Sequence, residues 1–402
     1  MKIKITPGTA RGSVTAPPSK SLAHRFLICA AMADGVSKID RVPECDDVLA
    51  TIDCLASLGI KVEKSGDTVT VYGRRPEELA PTGNLYCRES ASTLRFMIPV
   101  AMLSGQNTVF SGGESLMRRP MEVYRSLFSE CGLTYLEDGG LITVKGPLLG
   151  GDYTVPGDVS SQFISGLLFA LPLAASESRI RITPPIESRP YIELTLAALR
   201  TFGVTAEWED GQTIYIPAGQ RYSARELTVE GDWSGAAYVG ALSYLGGEVD
   251  VMGLDKGSLQ GDAICTRCFE ALSSGMTTIN IADTPDLAPI LFALSAAKHG
   301  GVFEGTRRLT IKESDRAAAM AKELAKLGAK VEVCENEVNV HPTPLHAPSA
   351  PLCAHGDHRI AMALSVLLTL LGGELDGAEA VAKSYPEFFR HLSALGIKIE
   401  YK

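Results

Sequence analysis

The sequence lacks any hydrophobic run long enough to span a bilayer. Its longest near-apolar stretches, Phe163 to Ala175 and Ile360 to Gly373, fall short of the ~20 residues a spanning helix needs and read as buried core helices. An apolar leader is also missing: Met1-Lys2-Ile3-Lys4-Ile5 reads as a strand, so a cytoplasmic location is expected. The nine cysteines, an odd number, are scattered singly apart from Cys265-Thr-Arg-Cys268. That usage suits a reducing compartment better than a disulfide scaffold. The one CxxC falls inside a helical pattern with no second Cys or His pair, so no metal site is expected. No Walker glycine-rich loop and no HExxH occur, and seven histidines show no such spacing. Kinase and metallohydrolase chemistry therefore lack support, and His358 reads as a polar wall residue. Cations are outnumbered: 38 Lys and Arg against 47 Asp and Glu give a net charge of −9. Such a chain is a poor general binder of nucleic acid or anionic membrane. Any anion it holds must be held by a local cluster of cations.

What is present is a repeat. With 402 residues and 45% hydrophobic content the chain can build two or three domains. Six times an apolar helix pattern ends at a small-residue turn and a short strand, around Arg25–Ile39, Leu94–Phe110, Gln162–Ile182, Gly235–Val251, Asp286–Gly305 and His358–Gly377. Each is followed by an amphipathic helix, starting near Asp46, Arg119, Arg189, Gly261, Ser314 and Pro386. The stops carry Gly59, Gly132, Gly203, Gly275, Gly328 and Gly396, since glycine takes the left-handed conformation cheaply. Pro120 and Pro190 sit where a first helical residue is expected. The first helix of each copy is apolar nearly all round and should be buried. The expectation is α/β: two similar domains, each of three βαβαβ-type units with helices inside and sheets outside. Residues 1–18 and 230–402 would form one domain and 19–229 an inserted second, joined near Pro18 and Val229, with the active site in the cleft between them. Arg225 to Asp232 reads as a linker and His341 to Pro351 as a Pro-rich surface loop.

Basic and hydroxyl residues gather at the helix starts: Pro18-Ser-Lys-Ser-Leu-Ala-His-Arg25, Arg88 to Arg95, Arg118-Arg-Pro120, Ser188-Arg-Pro-Tyr191, Lys312-Glu-Ser-Asp-Arg316, Gly356-Asp-His-Arg359 and Lys383-Ser-Tyr-Pro386. Helix N-termini offer free N–H groups and partial positive charge, and guanidinium forks add phosphate or carboxylate sites. Taken singly, each Ser or Thr would be a cap and each Arg a solvated side chain. Seven such clusters at equivalent points of a repeat favour a shared anion-binding role. Asp286 and Glu313 stand among these cations. Asp286 alone could be a helix N-cap, and Glu313 a helical ion pair with Arg316.

In order along the chain, Pro18-Ser-Lys-Ser, Gly157-Asp-Val-Ser-Ser-Gln-Phe163, Ser188-Arg-Pro-Tyr191, Thr284-Pro-Asp286, Lys312-Glu-Ser-Asp-Arg316, Asp357-His-Arg-Ile-Ala-Met-Ala363 and Lys383-Ser-Tyr-Pro386 resemble the 5-enolpyruvylshikimate-3-phosphate synthase family. The resemblance implies an inside-out α/β fold, the substrates phosphoenolpyruvate and shikimate 3-phosphate, no cofactor, no metal, and a monomer. By that likeness Lys20, Ser21, Arg25, Ser160, Ser161, Ser188, Tyr191, Asp286 and Lys312 would contact shikimate 3-phosphate. Lys20, Ala91, Arg119, Gln162, Arg316, Arg359 and Lys383 would contact phosphoenolpyruvate. The implied reaction protonates the enol methylene, adds the 5-hydroxyl at C2, and expels phosphate from the tetrahedral adduct. Asp286 would take or return the hydroxyl proton, Glu313 would exchange the methylene proton, and Lys20 and Lys383 would stabilise departing phosphate.

Two departures stand out. Ala91 replaces a Gly common in the family near phosphoenolpyruvate and the inhibitor glyphosate, so reduced glyphosate sensitivity is expected. Arg308 stands where some members have Asn. Two other functions remain in view. The related UDP-N-acetylglucosamine enolpyruvyl transferases carry a reactive Cys where this chain has Arg118-Arg-Pro120. A non-catalytic phosphometabolite binder would need the cations but neither Asp286 nor Glu313.

Overall fold

The computed structural model describes all 402 residues. Twelve principal helices fall into six successive pairs: α1 Lys20–Ala31 and α2 Asp46–Ser57; α3 Ala91–Met102 and α4 Glu122–Glu130; α5 Ser161–Ala170 and α6 Arg189–Thr201; α7 Trp233–Tyr244 and α8 Cys265–Ser274; α9 Ala288–Ala297 and α10 Arg316–Ala325; α11 His358–Leu371 and α12 Phe388–Ala394. A single further turn, Glu114–Met117, precedes α4.

The odd-numbered helices are buried almost all round; α9 and α11 are typical, with nearly every side chain inside. The even-numbered helices are amphipathic and bury one stripe, as expected of surface helices. Four-stranded sheets flank the helices, each mixing one parallel pairing with antiparallel ones, as in the order 278–280, 301–304, 337–341, 330–333.

The chain divides into two compact units, Met1–Ser19 with Glu230–Lys402, and Lys20–Val229. Each has its own apolar core. In the first, strand Lys2–Ile5 lies between Gly373–Asp376 and Ile399–Tyr401, closing the last copy's sheet with the beginning of the chain. In the second, the stretch read as a linker is partly structural: Glu226–Thr228 pairs with Val36–Asp40 and completes that sheet.

Five of the six glycine stops adopt the left-handed conformation, for example Gly59 at φ 84° and Gly328 at φ 88°. Gly275 does not; at φ 165° it is extended. There the repeat departs from expectation. After α8 the chain enters strand Thr278–Asn280 of the next sheet directly, without the hairpin that follows α2, α4, α6 and α10. The sheet of this copy keeps only Glu248–Met252 and Arg11–Thr15.

Several starts also shift. Pro190 is the second residue of α6, one place later than expected, and α4 begins at Glu122, two residues after Pro120, because Met121 has non-helical ψ. A short 3-10 turn occupies Gly261–Ile264 before α8.

Candidate active site

Within the unit of residues 230–402, the turns before α9, α10 and α11 bring charged side chains to Arg316. This guanidinium opens α10, is 1% exposed, and is shared among three carboxylates. Its Nη1 donates to Asp286 at 2.7 Å, its Nη2 to Glu313 at 2.8 Å, and its Nε to Asp357 at 2.9 Å. Asp357 is fully buried, N-caps α11 by accepting from the Arg359 amide at 2.9 Å, and accepts from the Ser314 hydroxyl. One carboxylate thus fixes the guanidinium and the start of the helix that carries Arg359.

Asp286 is met by further cations. Arg359 Nη2 lies 3.3 Å away and Lys312 Nζ 3.8 Å away. Lys383, at the end of a 3-10 turn, reaches Glu313 at 3.3 Å. Asp286 does not cap the helix: α9 starts two residues later, and the carboxylate faces guanidinium groups. Glu313 and Lys312 precede α10, so their pairing comes from a turn and not from one helical face. The Tyr238 hydroxyl of α7 donates to the Asp286 backbone carbonyl at 3.0 Å and anchors that turn.

The electrostatics follow from this crowding. Burial alone would raise the Asp286 carboxyl, but Arg359, Lys312 and Arg316 hold it well below the usual carboxylate range. It is therefore an ionised acceptor across the physiological range. Burial pulls Lys312 down to about 8, only partly opposed by Asp286. Asp262, deeper behind the cluster, is pushed up to about 6 by burial and then by the charge of Asp286. Asp286, Glu313, Lys312, Arg316, Arg359 and Lys383 thus form one cluster. Its cations are partly neutralised by its two carboxylates.

Within the unit of residues 20–229, a second set surrounds the starts of α1, α3, α5 and α6. Lys20 opens α1 and pairs with Asp47 of α2 at 2.8 Å, with both side chains largely buried. Arg25, one turn on, donates to the carbonyls of Ser21 and Tyr191 and to the Thr195 hydroxyl, tying α1 to α6. Burial, ahead of any neighbour, lowers it to about 10. Gln162 in the first turn of α5 accepts from Arg95 at 2.9 Å and donates to the Ser92 hydroxyl at 2.9 Å. Gly166 lets α3 and α5 come this close: a Cβ there would run into the Arg95 carbonyl of α3 and the Tyr124 hydroxyl of α4. That hydroxyl donates to the carbonyls of Arg95 and Phe163.

Ser160 N-caps α5, and Ser161 opens it. Ala91 opens α3 and is 5% exposed, while Arg119 lies between the Glu114–Met117 turn and α4. Ser188 stands before α6 in the left-handed conformation, φ 56°, an uncommon state for a residue with a side chain and one that gathers at functional sites.

Sequence reasoning gave no role to Asp47, and named Asp357 and Arg95 only as members of a cluster or motif. Each orients a residue it did single out. The available signals were the paired acids Asp46-Asp47 at a helix start and the acid two residues before Arg359. Cys265 and Cys268 are buried, and burial raises their thiols to about 12 and about 11, so neither is a ready thiolate.

Fixed cations interleaved with carboxylates at helix starts, on two units of repeated α/β copies, are the equipment of an enzyme that acts on small polyanions. The family model described as EPSP synthase (3-phosphoshikimate 1-carboxyvinyltransferase) matches residues 5–272 and 266–392, and the chain belongs to that family. The match runs in two stretches that overlap at the end of α8. A 3-phosphoshikimate 1-carboxyvinyltransferase of Clostridium kluyveri is 38% identical over 419 aligned positions, covering 99% of this chain and 98% of the relative. One of Clostridium beijerinckii is 36% identical over 422 positions, covering 98% and 97%. In fold, the chain matches an EPSP synthase structure from Acinetobacter baumannii with a TM-score of 0.80, at 24% identity and full coverage of both chains. No helix is long and apolar enough to cross a membrane.

Proposed function

We propose that this chain transfers the enolpyruvyl group of phosphoenolpyruvate to the 5-hydroxyl of shikimate 3-phosphate and releases phosphate, in aromatic biosynthesis. The observation that carries this reading is Arg316, a buried guanidinium held between Asp286, Glu313 and Asp357 with Arg359, Lys312 and Lys383 around them. A substrate with both carboxylate and phosphate needs several fixed cations, and its addition chemistry needs a proton acceptor and a proton donor. Asp286, ionised beside three cations, suits acceptance of the hydroxyl proton. Glu313, between Arg316 and Lys383, is assigned exchange of the methylene proton, acting in a set coupled to Asp286.

Arg316, Arg359 and Lys383, with Arg119, Gln162 and Lys20 of the other unit, are assigned to phosphoenolpyruvate, and Ala91 lines its pocket. Lys20, Ser21, Arg25, Ser160, Ser161, Ser188, Tyr191, Asp286 and Lys312 are assigned to shikimate 3-phosphate. Lys20 and Lys383 stabilise the leaving phosphate. The enzyme works as a cytoplasmic monomer. The sugar-nucleotide alternative is not favoured, since the relatives bear the shikimate name.

The test is phosphate release from phosphoenolpyruvate with and without shikimate 3-phosphate. Release that requires the second substrate and is lost in Asp286→Ala, with binding retained, supports the reading. Binding of both substrates by the parent without release would instead mark a phosphometabolite-binding protein.

A further inference from the structure

The missing hairpin leaves one strand edge and one apolar surface without the cover that the other copies have. Strand Glu248–Met252 occupies the position that Gly301–Glu304 and Gly373–Asp376 hold in the neighbouring copies: after a buried helix, and parallel to the strand before it. Those two strands continue on their other side into an antiparallel partner, Glu337–His341 and Lys2–Ile5 respectively. Glu248–Met252 has none.

The family match divides at this point, overlapping over residues 266–272, and the Clostridium kluyveri alignment needs 419 positions for a chain of 402. Relatives therefore carry residues that this chain lacks. The surface records the loss. Met252, Leu259, Ile264 and Met276, large apolar residues of the segment that runs through this copy, are 39–57% exposed. Val249 and Val251 are only half-buried, whereas their counterpart Phe303 is fully covered. A groove of ≈ 380 Å³ opens beside them, walled by Trp233 and Tyr244 of α7 and Phe269 of α8.

The strand's own chemistry specifies the cover. Apolar Val249 and Val251 face the groove, alternating with exposed acidic Glu248 and Asp250. The same alternation is already satisfied once in this unit. Strand Lys2-Ile-Lys-Ile5 lies against Gly373–Asp376 with Lys4 opposite Glu374 and Lys2 opposite Asp376, while Ile3 and Ile5 are at most 1% exposed. Lys2 also reaches Glu374 at 3.1 Å.

We propose that the open edge at Glu248–Met252 takes an added antiparallel strand from a partner, an extended segment that alternates aliphatic residues with Lys or Arg. Main-chain bonds form at Val251 directly. At Val249 they form once the Ser243 hydroxyl, which now bonds that residue's N–H and carbonyl, gives way. The aliphatic side chains enter the groove, and the basic ones stand over Glu248 and Asp250. This is strand addition to a sheet edge, with specificity set by alternate side chains. A second copy of the chain is a poorer occupant. Edge-to-edge antiparallel pairing about a two-fold axis would set the same acidic residues against each other, on a chain already at −9. The inference stands apart from the enzymatic reading, since no residue assigned to the reaction takes part.

The experiment titrates the full chain into a fluorescein-labelled peptide carrying Lys-Ile-Lys-Ile between Gly-Ser flanks, followed by fluorescence anisotropy. A peptide carrying Glu-Ile-Glu-Ile is the control. The expected result is saturable binding of the basic peptide, about tenfold tighter than the acidic one. The preference should reverse in the Glu248→Lys/Asp250→Lys double variant, whose unchanged turnover reports an intact fold. Three results would overturn the proposal: no saturation at about 1 mM peptide, a value near the weak limit of specific association; binding indifferent to the double variant; or sedimentation showing that self-association occupies the edge.

Discussion

Replacing Asp357 by Ala should cost about 3 kcal/mol in the stability of the unit that holds it. The carboxylate is fully buried and serves three groups: Arg316 Nε at 2.9 Å, the Arg359 amide at 2.9 Å, and the Ser314 hydroxyl. Removing one partner of a buried ion pair costs about 3–5 kcal/mol because the other charge stays buried. Here Arg316 keeps Asp286 and Glu313 on its two Nη atoms, so the pair's share falls well below that range, to about 2 kcal/mol. Loss of the α11 cap adds about 1 kcal/mol. Asp357→Asn keeps an acceptor for the amide and should cost about half as much. Urea unfolding by circular dichroism measures the first effect, and turnover measures the second. With Arg316 no longer held at Nε, KM for phosphoenolpyruvate should rise in Asp357→Ala and recover in part in Asp357→Asn. A loss under about 1 kcal/mol together with unchanged KM would refute the view that Asp357 fixes Arg316.

Asp286→Asn should lower kcat by about 10²–10⁴, the usual worth of a positioned general base, with a smaller effect on KM; steady-state kinetics decides this. Lys312 loses its proton near pH 8 in the ligand-free protein, so KM for shikimate 3-phosphate should climb as pH rises past that value, and Lys312→Arg should flatten the climb. Because that lysine binds protons more weakly folded than unfolded, the ligand-free fold should gain stability between about pH 8 and its ordinary 10.5, which denaturation at several pH values will show. Ala91→Gly should sharpen inhibition by glyphosate at little cost to KM for phosphoenolpyruvate, measured as a fall in the inhibition constant, because one methyl is removed from a side chain only 5% exposed at the opening of α3.

Much of this architecture was legible in the sequence because its signals are local. A helix apolar on all sides has to be buried, and glycine at a left-handed stop marks a helix end; α1 to α7 and α9 to α12 follow these rules closely. The fourth copy misled because its stop looked regular. Ser274-Gly275-Met276 matches the other stops in residue type, yet Gly275 is extended and no hairpin follows. Only counting the residues between α8 and the next buried helix would have exposed the missing hairpin. Of the candidate site, motifs singled out Lys20, Asp286, Glu313, Arg316, Arg359 and Lys383, but not the buried Asp47 and Asp357 that hold two of them. What they could not supply was the partner of each. Arg316 is shared three ways because turns before three helices meet, and Lys20 is paired through Asp47 on a different helix. Those are tertiary facts, set by how the copies pack. The turn placement of Asp286 and Glu313 was missed for a related reason, since capping and helical pairing are the default uses of such residues.

The most direct test follows the oxygen that bridges carbon and phosphorus in phosphoenolpyruvate. Addition at C2 followed by elimination breaks the carbon–oxygen bond. With that oxygen labelled as ¹⁸O, all the label should leave in inorganic phosphate, released one for one with an enol ether of shikimate 3-phosphate, both read by mass spectrometry. Label retained in pyruvate, or phosphate release without the ether, would contradict the account.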